Sequence, residues 1–251
     1  MVPLGLIPFR FPGLANVSCV FTTRRGGASQ PPFDGANLSF DVGDEPAAVA
    51  ANRRQLAVGL GLARWCECRQ VHGDVLHIEP EPVALDAPAT LAGDALATSV
   101  PGLALGIKTA DCQPVLLAHE SGRFVAALHV GWRGNVQNLP GSAVARLCAH
   151  YGCAPAELFA VRGPSLGPQA AQFTNFEAEF GAGFGEFFDP ARQTVDLWRL
   201  TRHQLEAAGL KAGRIFGIDL CTLSNPLDFY SFRAARVTGR QVSLIWVGDV
   251  A

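Results

Sequence analysis

The sequence contains no long apolar run. Among its 251 residues, no apolar stretch reaches the roughly 18 residues that a membrane-spanning helix needs. This argues against a helical membrane protein, and we expect no membrane partner. The opening stretch, MVPLGLIPFRFPGL, lacks a positively charged start and is interrupted by prolines, so it does not predict a secretory signal peptide.

Charged residues are also few. They make up 17% of the sequence, and the formal net charge is −2. A dedicated nucleic-acid-binding protein usually has a basic excess, so we expect no nucleic-acid partner. Hydrophobic residues make up 49% of the sequence, which excludes a largely disordered chain and allows a sizeable buried core.

A compact disulfide framework is missing as well. The 7 cysteines are an odd number and are spread from Cys19 to Cys221. A protein of this size does not need disulfides to fold, so we expect reduced thiols and a cytoplasmic location. The sequence has only 6 histidines and a single methionine, Met1, which limits the metal sites that it can build.

Short apolar runs, several rich in β-branched residues, predict strands. The predicted strands are Val17–Thr23, Val75–Glu79, Leu103–Lys108, Pro114–His119, Phe124–Val130, Leu158–Gly163, Ile215–Leu220 and Val242–Val247. Helices are predicted after Asp44, between Asn135 and His150, after Asn175 and after Asp196, with Pro140 delaying the start of the second.

Strands mixed with helices indicate an α/β (α+β) protein. Ser121 and Gly122 lie between two predicted strands and predict a hairpin, so we expect mixed β-sheets flanked by helices and not a purely parallel sheet. The stretch 79–92 is a loop candidate, but it is too short and too apolar for a domain boundary. We therefore predict a single domain over residues 1–251.

Reactive side chains follow or precede several predicted strands. Asp111 and Cys112 lie in T-A-D-C, His129 begins H-V-G-W-R-G, His72 lies in Q-V-H-G-D, and Asp94 lies in A-G-D-A-L. A rigid core can hold such strand-end groups while they reach the surface. From the residues alone, two interpretations of the two histidines and Cys112 stay open. They form a joint metal or Cys/His catalytic site, or they are separate structural residues.

Arginines beside glycines mark two candidate anion sites. Arg25 lies in T-T-R-R-G-G-A-S, and Arg133 lies in G-W-R-G, ahead of a predicted helix. Lys108, at the end of a predicted strand, is a third candidate phosphate contact by its charge and its position. A plain turn with solvated arginines is the alternative interpretation of the first motif.

A series of motifs, in order along nearly the whole chain, resembles the laccase-domain family. They are T-T-R-R-G-G-A-S, Q-V-H-G, G-D-A-L-A-T, T-A-D-C-Q-P-V-L-L, H-V-G-W-R-G, G-P-S-L-G-P, D-L-W-R-L-T-R-H-Q-L and C-T-L-S-N-P-L-D-F-Y-S-F-R. That family was first described as multicopper polyphenol oxidoreductases and was later recognised as purine nucleoside phosphorylases with adenosine deaminase activity.

The resemblance implies a single-domain layered sandwich with mixed sheets, similar to the catalytic domain of cytotoxic necrotising factor. It also implies that His72, Cys112 and His129 bind a metal ion. The chain departs from the family at two places. Val130 stands where alanine is usual, and Q-A-A-Q-F-T follows G-P-S-L-G-P where members often have a cysteine pair.

The implied chemistry is zinc-dependent, with copper as a possible occupant of the same site. Adenosine, inosine and methylthioadenosine are the expected nucleoside substrates, with phosphate as the second substrate. Asp94 and Asp111 are the expected proton carriers. Arg25, Lys108 and Arg133 are the expected phosphate contacts, and Trp132 or Phe33 is a candidate for stacking on the base.

Two other functions remain open from the sequence. A copper-dependent polyphenol oxidase of the multicopper type needs more imidazole ligands than 6 histidines supply. A metal-free hydrolase acting on amide or peptidoglycan-precursor substrates would use Cys112 as nucleophile and His129 as base. The sequence does not predict an oligomeric state.

Overall fold

The computed structural model describes residues 2–248, which form thirteen strands and five α-helices. The strands are Leu6–Phe9 (β1), Val17–Thr22 (β2), Arg64–Glu67 (β3), Leu76–Ile78 (β4), Ala95–Thr98 (β5), Leu103–Thr109 (β6), Gln113–His119 (β7), Val125–Val130 (β8), Leu158–Arg162 (β9), Phe188–Asp189 (β10), Thr194–Val195 (β11), Ile215–Gly217 (β12) and Gln241–Val247 (β13). The helices are Pro46–Leu60 (α1), Trp132–Val136 (α2), Leu139–Tyr151 (α3), Phe176–Glu179 (α4) and Leu197–Ala207 (α5).

The strands form two large mixed sheets and a small hairpin. The five-stranded sheet has the order β1-β2-β13-β6-β3, and the six-stranded sheet has the order β12-β9-β7-β8-β5-β4. In each sheet antiparallel pairs are joined to parallel ones, β3 with β6 in the first, and β4 with β5 and β9 with β12 in the second. The predicted mixed-sheet α/β class is confirmed.

The two large sheets pack face to face. Cys19, Leu105 and Ile245 of the first sheet share one buried core with Leu116 and Val161 of the second. Aliphatic side chains on the inner faces therefore provide the main hydrophobic contact between the layers.

Helices cover the outer faces of the sandwich. Leu56 of α1 packs with Trp65 and Leu244 outside the five-stranded sheet. On the six-stranded sheet, α3 and α5 place Leu147 and Leu205 in the outer core. The result is a layered sandwich. The likeness to the necrotising factor domain and the single-domain assignment remain predictions.

Helix boundaries follow local chemistry. Pro140 lies in the first turn of α3, which starts at Leu139, so the predicted delay of this helix is confirmed. Asn135, where the prediction began, lies in the separate short helix α2. The Asp196 carboxylate accepts a hydrogen bond from the backbone N–H of Arg199 at 2.9 Å and caps α5. The first helix follows Asp44 as predicted, and it is preceded by Glu45, which makes no side-chain cap.

The chain crosses from one sheet to the other where the reactive residues lie. Strand β6 of the first sheet ends at Thr109, and β7 of the second begins at Gln113. The short connection between them carries Asp111 and Cys112 to one end of the sandwich. Within residues 2–248, no helix combines the length and apolar character needed to cross a bilayer.

Candidate metal centre

The structure brings His72, Cys112 and His129 together. One potential ligand atom from each lies within 4.8 Å of the other two. The Cys112 Sγ is 3.8 Å from His72 Nε2, and the two imidazole rings are 4.8 Å apart between centroids. Two loop residues, His72 and Cys112, therefore meet His129, which lies near the end of strand β8 and not in a turn.

Asp94 holds two of these residues from behind. Its Oδ1 is 2.8 Å from His129 Nδ1 and accepts a hydrogen bond from the backbone N–H of His72 at 2.9 Å. Its Oδ2 accepts from the backbone N–H groups of Gly73 and Val71, at 2.7 and 3.2 Å. The carboxylate fixes the His129 ring and leaves its Nε2 free to bind a ligand.

The hydrogen bonds to Asp94 also stabilise its charge. Burial tends to raise the pKa of this carboxyl, but the hydrogen bond from His129 and those from Gly73 and His72 outweigh burial and lower the pKa. Asp94 is fully buried and does not line the adjoining cavity. Its position suits orientation of the imidazole and does not support the predicted proton transfer to a substrate.

Gly131 leaves room for the cluster. A Cβ at this position would lie 3.0 Å from Cys112 Sγ and 3.2 Å from His72 Cδ2. Any side chain there would push the thiol and the imidazole apart. This steric limit explains why glycine follows the His-Val pair of H-V-G-W-R-G.

The Cys112 thiol and the His129 imidazole interact strongly. Burial tends to raise the pKa of Cys112, but the charge of His129 and hydrogen bonds from both histidines outweigh it and lower the pKa to about 6. Burial opposes protonation of His129, whereas Cys112 and Asp94 favour it and raise its pKa. The three-residue cluster therefore favours a thiolate, the form of cysteine that binds metals.

The donor set fits zinc. Two imidazole nitrogens and one thiolate are ordinary zinc ligands, and three protein ligands with one open position are typical of catalytic sites. The Asp94–His129 hydrogen bond is the kind of outer contact that orients a ligating histidine. The same donors also accept copper.

All three residues line a cavity of about 810 Å³. Its lining includes the aromatic side chains of Trp132, Phe173 and Phe232. It also includes six basic residues, Arg69, Lys108, Arg133, Arg233, Arg236 and Arg240, against three acidic ones, Asp41, Asp111 and Glu179. The cavity is thus positively charged on balance and suits an anion beside a flat ring.

Two of the predicted phosphate contacts, Lys108 and Arg133, line this cavity. The guanidinium of Arg133 is exposed, lies 4.4 Å from the Trp132 ring centroid, and makes no hydrogen bond or ion pair within the described residues. Lys108 is buried, with its Nζ 2.9 Å from Asp41 and 3.0 Å from Glu67.

Arg25 does not line the cavity. Its guanidinium pairs with Asp228 instead, which argues against the predicted phosphate contact. Phe33 is buried away from the cavity lining, whereas Trp132 is part of it. Asp111 does line the cavity; it accepts hydrogen bonds from Thr222 Oγ1 at 2.7 Å and from the backbone N–H of Arg233 at 2.7 Å.

Arg240 is a cavity residue to which the sequence analysis assigned no role. The carbonyl groups of Thr238 and Gly239 accept hydrogen bonds from its guanidinium at 2.8 and 2.9 Å. Burial lowers its pKa, while the nearby charges of Cys112 and Asp111 oppose that shift. Arg240 lies in T-G-R-Q. An arginine next to a glycine is the same pattern that marked the other candidate anion sites, and it could have identified Arg240 from the sequence.

Replacing Asp94 by asparagine should weaken zinc binding about 10- to 100-fold, a typical loss when such an outer contact is changed. The amide cannot accept hydrogen bonds from the imidazole and all three backbone N–H groups at once. A competition titration with a chromophoric chelator measures the affinity. Asp74→Asn, in the same exposed turn, removes an equal charge and should leave zinc affinity unchanged. Equal affinities of wild type and Asp94→Asn would contradict the assignment.

Comparison with known proteins agrees with the motifs. Residues 18–248 match the model of a family described as multi-copper polyphenol oxidoreductase laccase. A purine nucleoside phosphorylase of Pseudomonas aeruginosa is 38% identical over 252 residues, covering 95% of this chain and 97% of that protein. The purine nucleoside phosphorylase YfiH of Escherichia coli is 34% identical, covering 96% and 98% of the two chains.

Solved structures share the fold. YlmD from Geobacillus stearothermophilus superposes with a TM-score of 0.86 at 28% identity, covering 98% of this chain and 97% of that one. A Neisseria meningitidis protein superposes with a TM-score of 0.84 at 30% identity, covering 97% and 99%.

Proposed function

We propose a zinc-dependent purine nucleoside phosphorylase function, with adenosine deaminase activity, for this chain, which belongs to the multi-copper polyphenol oxidoreductase laccase family. One observation carries the proposal. The cluster of His72, Cys112 and His129 lines the same cavity as a net excess of basic side chains and three aromatic rings. Relatives with the name purine nucleoside phosphorylase match this chain over almost its whole length.

The zinc ion would be held by His72, Cys112 and His129, with Asp94 fixing the His129 imidazole. When bound, zinc supplies Lewis-acid chemistry and activates water. The other cavity residues bind the phosphate and the purine and transfer protons. The donor set accepts copper as well, so purified protein should be analysed for both metals.

Phosphorolysis requires an anion to be held beside the sugar. Arg133 is the main proposed phosphate contact, since its exposed guanidinium lines the cavity without a partner among the described residues. Lys108 is the second, although its Nζ also lies 2.9 Å from Asp41 and 3.0 Å from Glu67. A phosphate oxygen forms a bond to C1′ of the ribose as the bond from C1′ to the purine nitrogen breaks. The positive charge that develops on the sugar is stabilised by the adjacent phosphate. Trp132 is the proposed stacking surface for the purine.

Deamination of adenosine adds water at C6 and releases ammonia, and it needs a group that transfers protons. Asp111 is the proposed carrier, because its half-buried carboxylate lines the cavity. Asp94 acts instead as a positioning residue, because it is fully buried behind His129 and does not line the cavity.

Product analysis tests the function. Inosine with phosphate should yield hypoxanthine and ribose 1-phosphate, and adenosine should yield adenine and, more slowly, inosine. Methylthioadenosine should be tried as a third substrate. Failure to form hypoxanthine or adenine at any phosphate concentration would refute the phosphorylase proposal.

One observation favours a second candidate. The Cys112 thiol has a pKa lowered to about 6 beside His129, an arrangement that also suits a cysteine nucleophile with a histidine base. That alternative predicts hydrolysis of amide or peptidoglycan-precursor substrates by metal-free protein. Oxygen uptake with phenols by the copper-loaded protein would favour a polyphenol oxidase instead.

Arg133→Ala should raise the phosphate concentration needed for half-maximal phosphorolysis by at least about tenfold, since a charged hydrogen-bond donor to an anion is worth about 1.5–3 kcal/mol. Zinc content should change little. Arg25→Ala is the matched control, because Arg25 pairs with Asp228 outside the cavity lining. An unchanged phosphate requirement in Arg133→Ala would move the anion site elsewhere.

A further inference from the structure

A second group of reactive side chains lies at the far end of α3. Cys148 is in the last turn of this helix, and Gly152 ends it in the left-handed conformation with φ +63°. The chain reverses there, so that the backbone N–H of Cys153 donates to the carbonyl of Cys148 at 3.2 Å. This turn brings the two sulfur atoms to 3.6 Å. Both side chains are half-buried, and neither lines the cavity.

His119, the last residue of β7, faces this thiol pair. Its side chain is only 9% exposed. Its Nδ1 accepts a hydrogen bond from the backbone N–H of Ser121 at 3.1 Å and lies 2.8 Å from the Ser121 Oγ. With the hydroxyl also donating to Nδ1, the ring proton lies on Nε2. That Nε2 is buried without a hydrogen-bond partner among the described residues.

The Nε2 of His119 lies close to Cys153 and Glu157. Ligand atoms of His119, Cys153 and Glu157 lie within 4.8 Å of one another, and the Nε2 is 3.7 Å from Glu157 Oε2. Metal binding through Nε2 would require the proton to sit on Nδ1. The backbone N–H of Ser121 already points at that atom. The tautomer therefore favours thiol chemistry over a metal site.

The two cysteines differ in their surroundings. Burial, together with the hydrogen bond and charge of Cys153, raises the pKa of the Cys148 thiol. Cys153 instead lies beside the His119 N–H, which can donate a hydrogen bond to a thiolate. The Cys153 sulfur is thus a potential acceptor for a buried donor that has no hydrogen-bond partner among the described residues.

We propose that Cys148 and Cys153 form a reversible dithiol/disulfide pair, with Cys153 as the attacking thiol and a low-molecular-weight disulfide such as oxidised glutathione as the oxidant. The Cys153 thiolate attacks one glutathione sulfur, the glutathione S–S bond breaks, and one glutathione leaves and takes up a proton. The Cys148 sulfur, after losing its proton, attacks the Cys153 sulfur and displaces the second glutathione. Two protein thiols are oxidised, and one glutathione disulfide is reduced to two thiols.

The zinc-loaded full chain should be incubated with oxidised and reduced glutathione at defined ratios, alkylated and digested with trypsin. Both cysteines fall in one tryptic peptide, Leu147–Arg162. In the wild type this peptide should lose two hydrogen atoms and escape alkylation, and reductant should restore both thiols. Cys148→Ser should retain a glutathione adduct on Cys153. Cys153→Ser should form adducts at Cys148 several-fold more slowly.

Cys221→Ser is the matched control, because this half-buried cysteine lies outside the pair and its loss should leave the linked peptide unchanged. The proposal is overturned if the wild-type peptide stays fully alkylated at the most oxidising ratio. It is also overturned if Cys148 and Cys153 form adducts equally fast in the single variants. A second equivalent of zinc that blocks both thiols and is lost in Cys153→Ser would replace the redox pair with a metal site.

Discussion

Cys112→Ser should abolish zinc retention and lower kcat/KM for phosphorolysis and deamination by at least about 100-fold, more than the loss of an outer contact causes. Serine replaces the thiolate by a hydroxyl that stays protonated at neutral pH and binds zinc poorly. The fold should persist, because Cys112 is only half-buried and lies in a turn at the end of the sandwich. Metal analysis after dialysis, steady-state kinetics and circular dichroism measure the three outcomes.

The control for this experiment is Cys221→Ser. The Cys221 sulfur accepts a hydrogen bond from the backbone N–H of Gly167 at 3.2 Å, and a serine oxygen can accept the same bond. Zinc content and activity should therefore match the wild type. A folded Cys112→Ser protein that keeps its zinc would show that the metal is bound elsewhere. Loss of activity with zinc retained would instead favour Cys112 as a nucleophile.

Glu67→Gln should destabilise the protein by about 3–5 kcal/mol, the usual effect of removing one partner from a buried ion pair. The Glu67 carboxylate is fully buried and accepts hydrogen bonds from Arg53 at 2.8 and 3.0 Å and from Lys108 at 3.0 Å. Arg53 is also fully buried. The glutamine variant leaves two cations facing a neutral amide, with Asp41 as the remaining carboxylate beside Lys108.

Urea unfolding of zinc-loaded protein measures this change in the free energy of unfolding. Glu186→Gln is the control, because Glu186 pairs with Arg199 at 2.9 Å on the exposed surface. Such a pair contributes about 0–1 kcal/mol. Similar unfolding free energies of Glu67→Gln and the wild type would contradict the importance of the buried charge cluster.

Strands that lie in the middle of the sheets could be predicted from sequence. β6, β7 and β8 are buried at every residue, and their continuous apolar runs show this directly. The strands missed by the prediction carry weak local signals. β1 contains Pro8 at the edge of its sheet, and the short, alanine-rich β5 is a strand because β4 and β8 pair with it.

One predicted strand is too long for a tertiary reason. The apolar run Ile215–Leu220 predicts a strand throughout, but β12 ends at Gly217. Gly217 pairs with Arg162, the last residue of β9, and no further partner residues continue that strand. Strand length here depends on the neighbouring strand, which the local sequence does not contain.

The metal-ligand candidates could be identified from residue type and motif, since few side chains bind zinc and each candidate lies next to a predicted strand. Their roles could not all be separated in the same way. Asp94 and Asp111 look alike in sequence, yet one is buried behind an imidazole and the other faces the cavity. Arg25 and Arg133 differ similarly, because Asp228 pairs with only the first.

The sequence by itself determined the mixed α/β class, the main core strands, the hairpin at Ser121 and Gly122, and the identity of three candidate metal ligands. Local hydrophobic periodicity carries the class, the strands and the hairpin, whereas the likeness of the ordered motifs to a known family carries the ligand set. Only the tertiary structure decided which acidic and basic groups meet those ligands. The order of strands in two stacked sheets sets these distances, and it brings His72, Cys112 and His129 together across 57 residues of chain. Such long-range contacts arise from the packing of the whole sandwich and leave no local pattern in the chain.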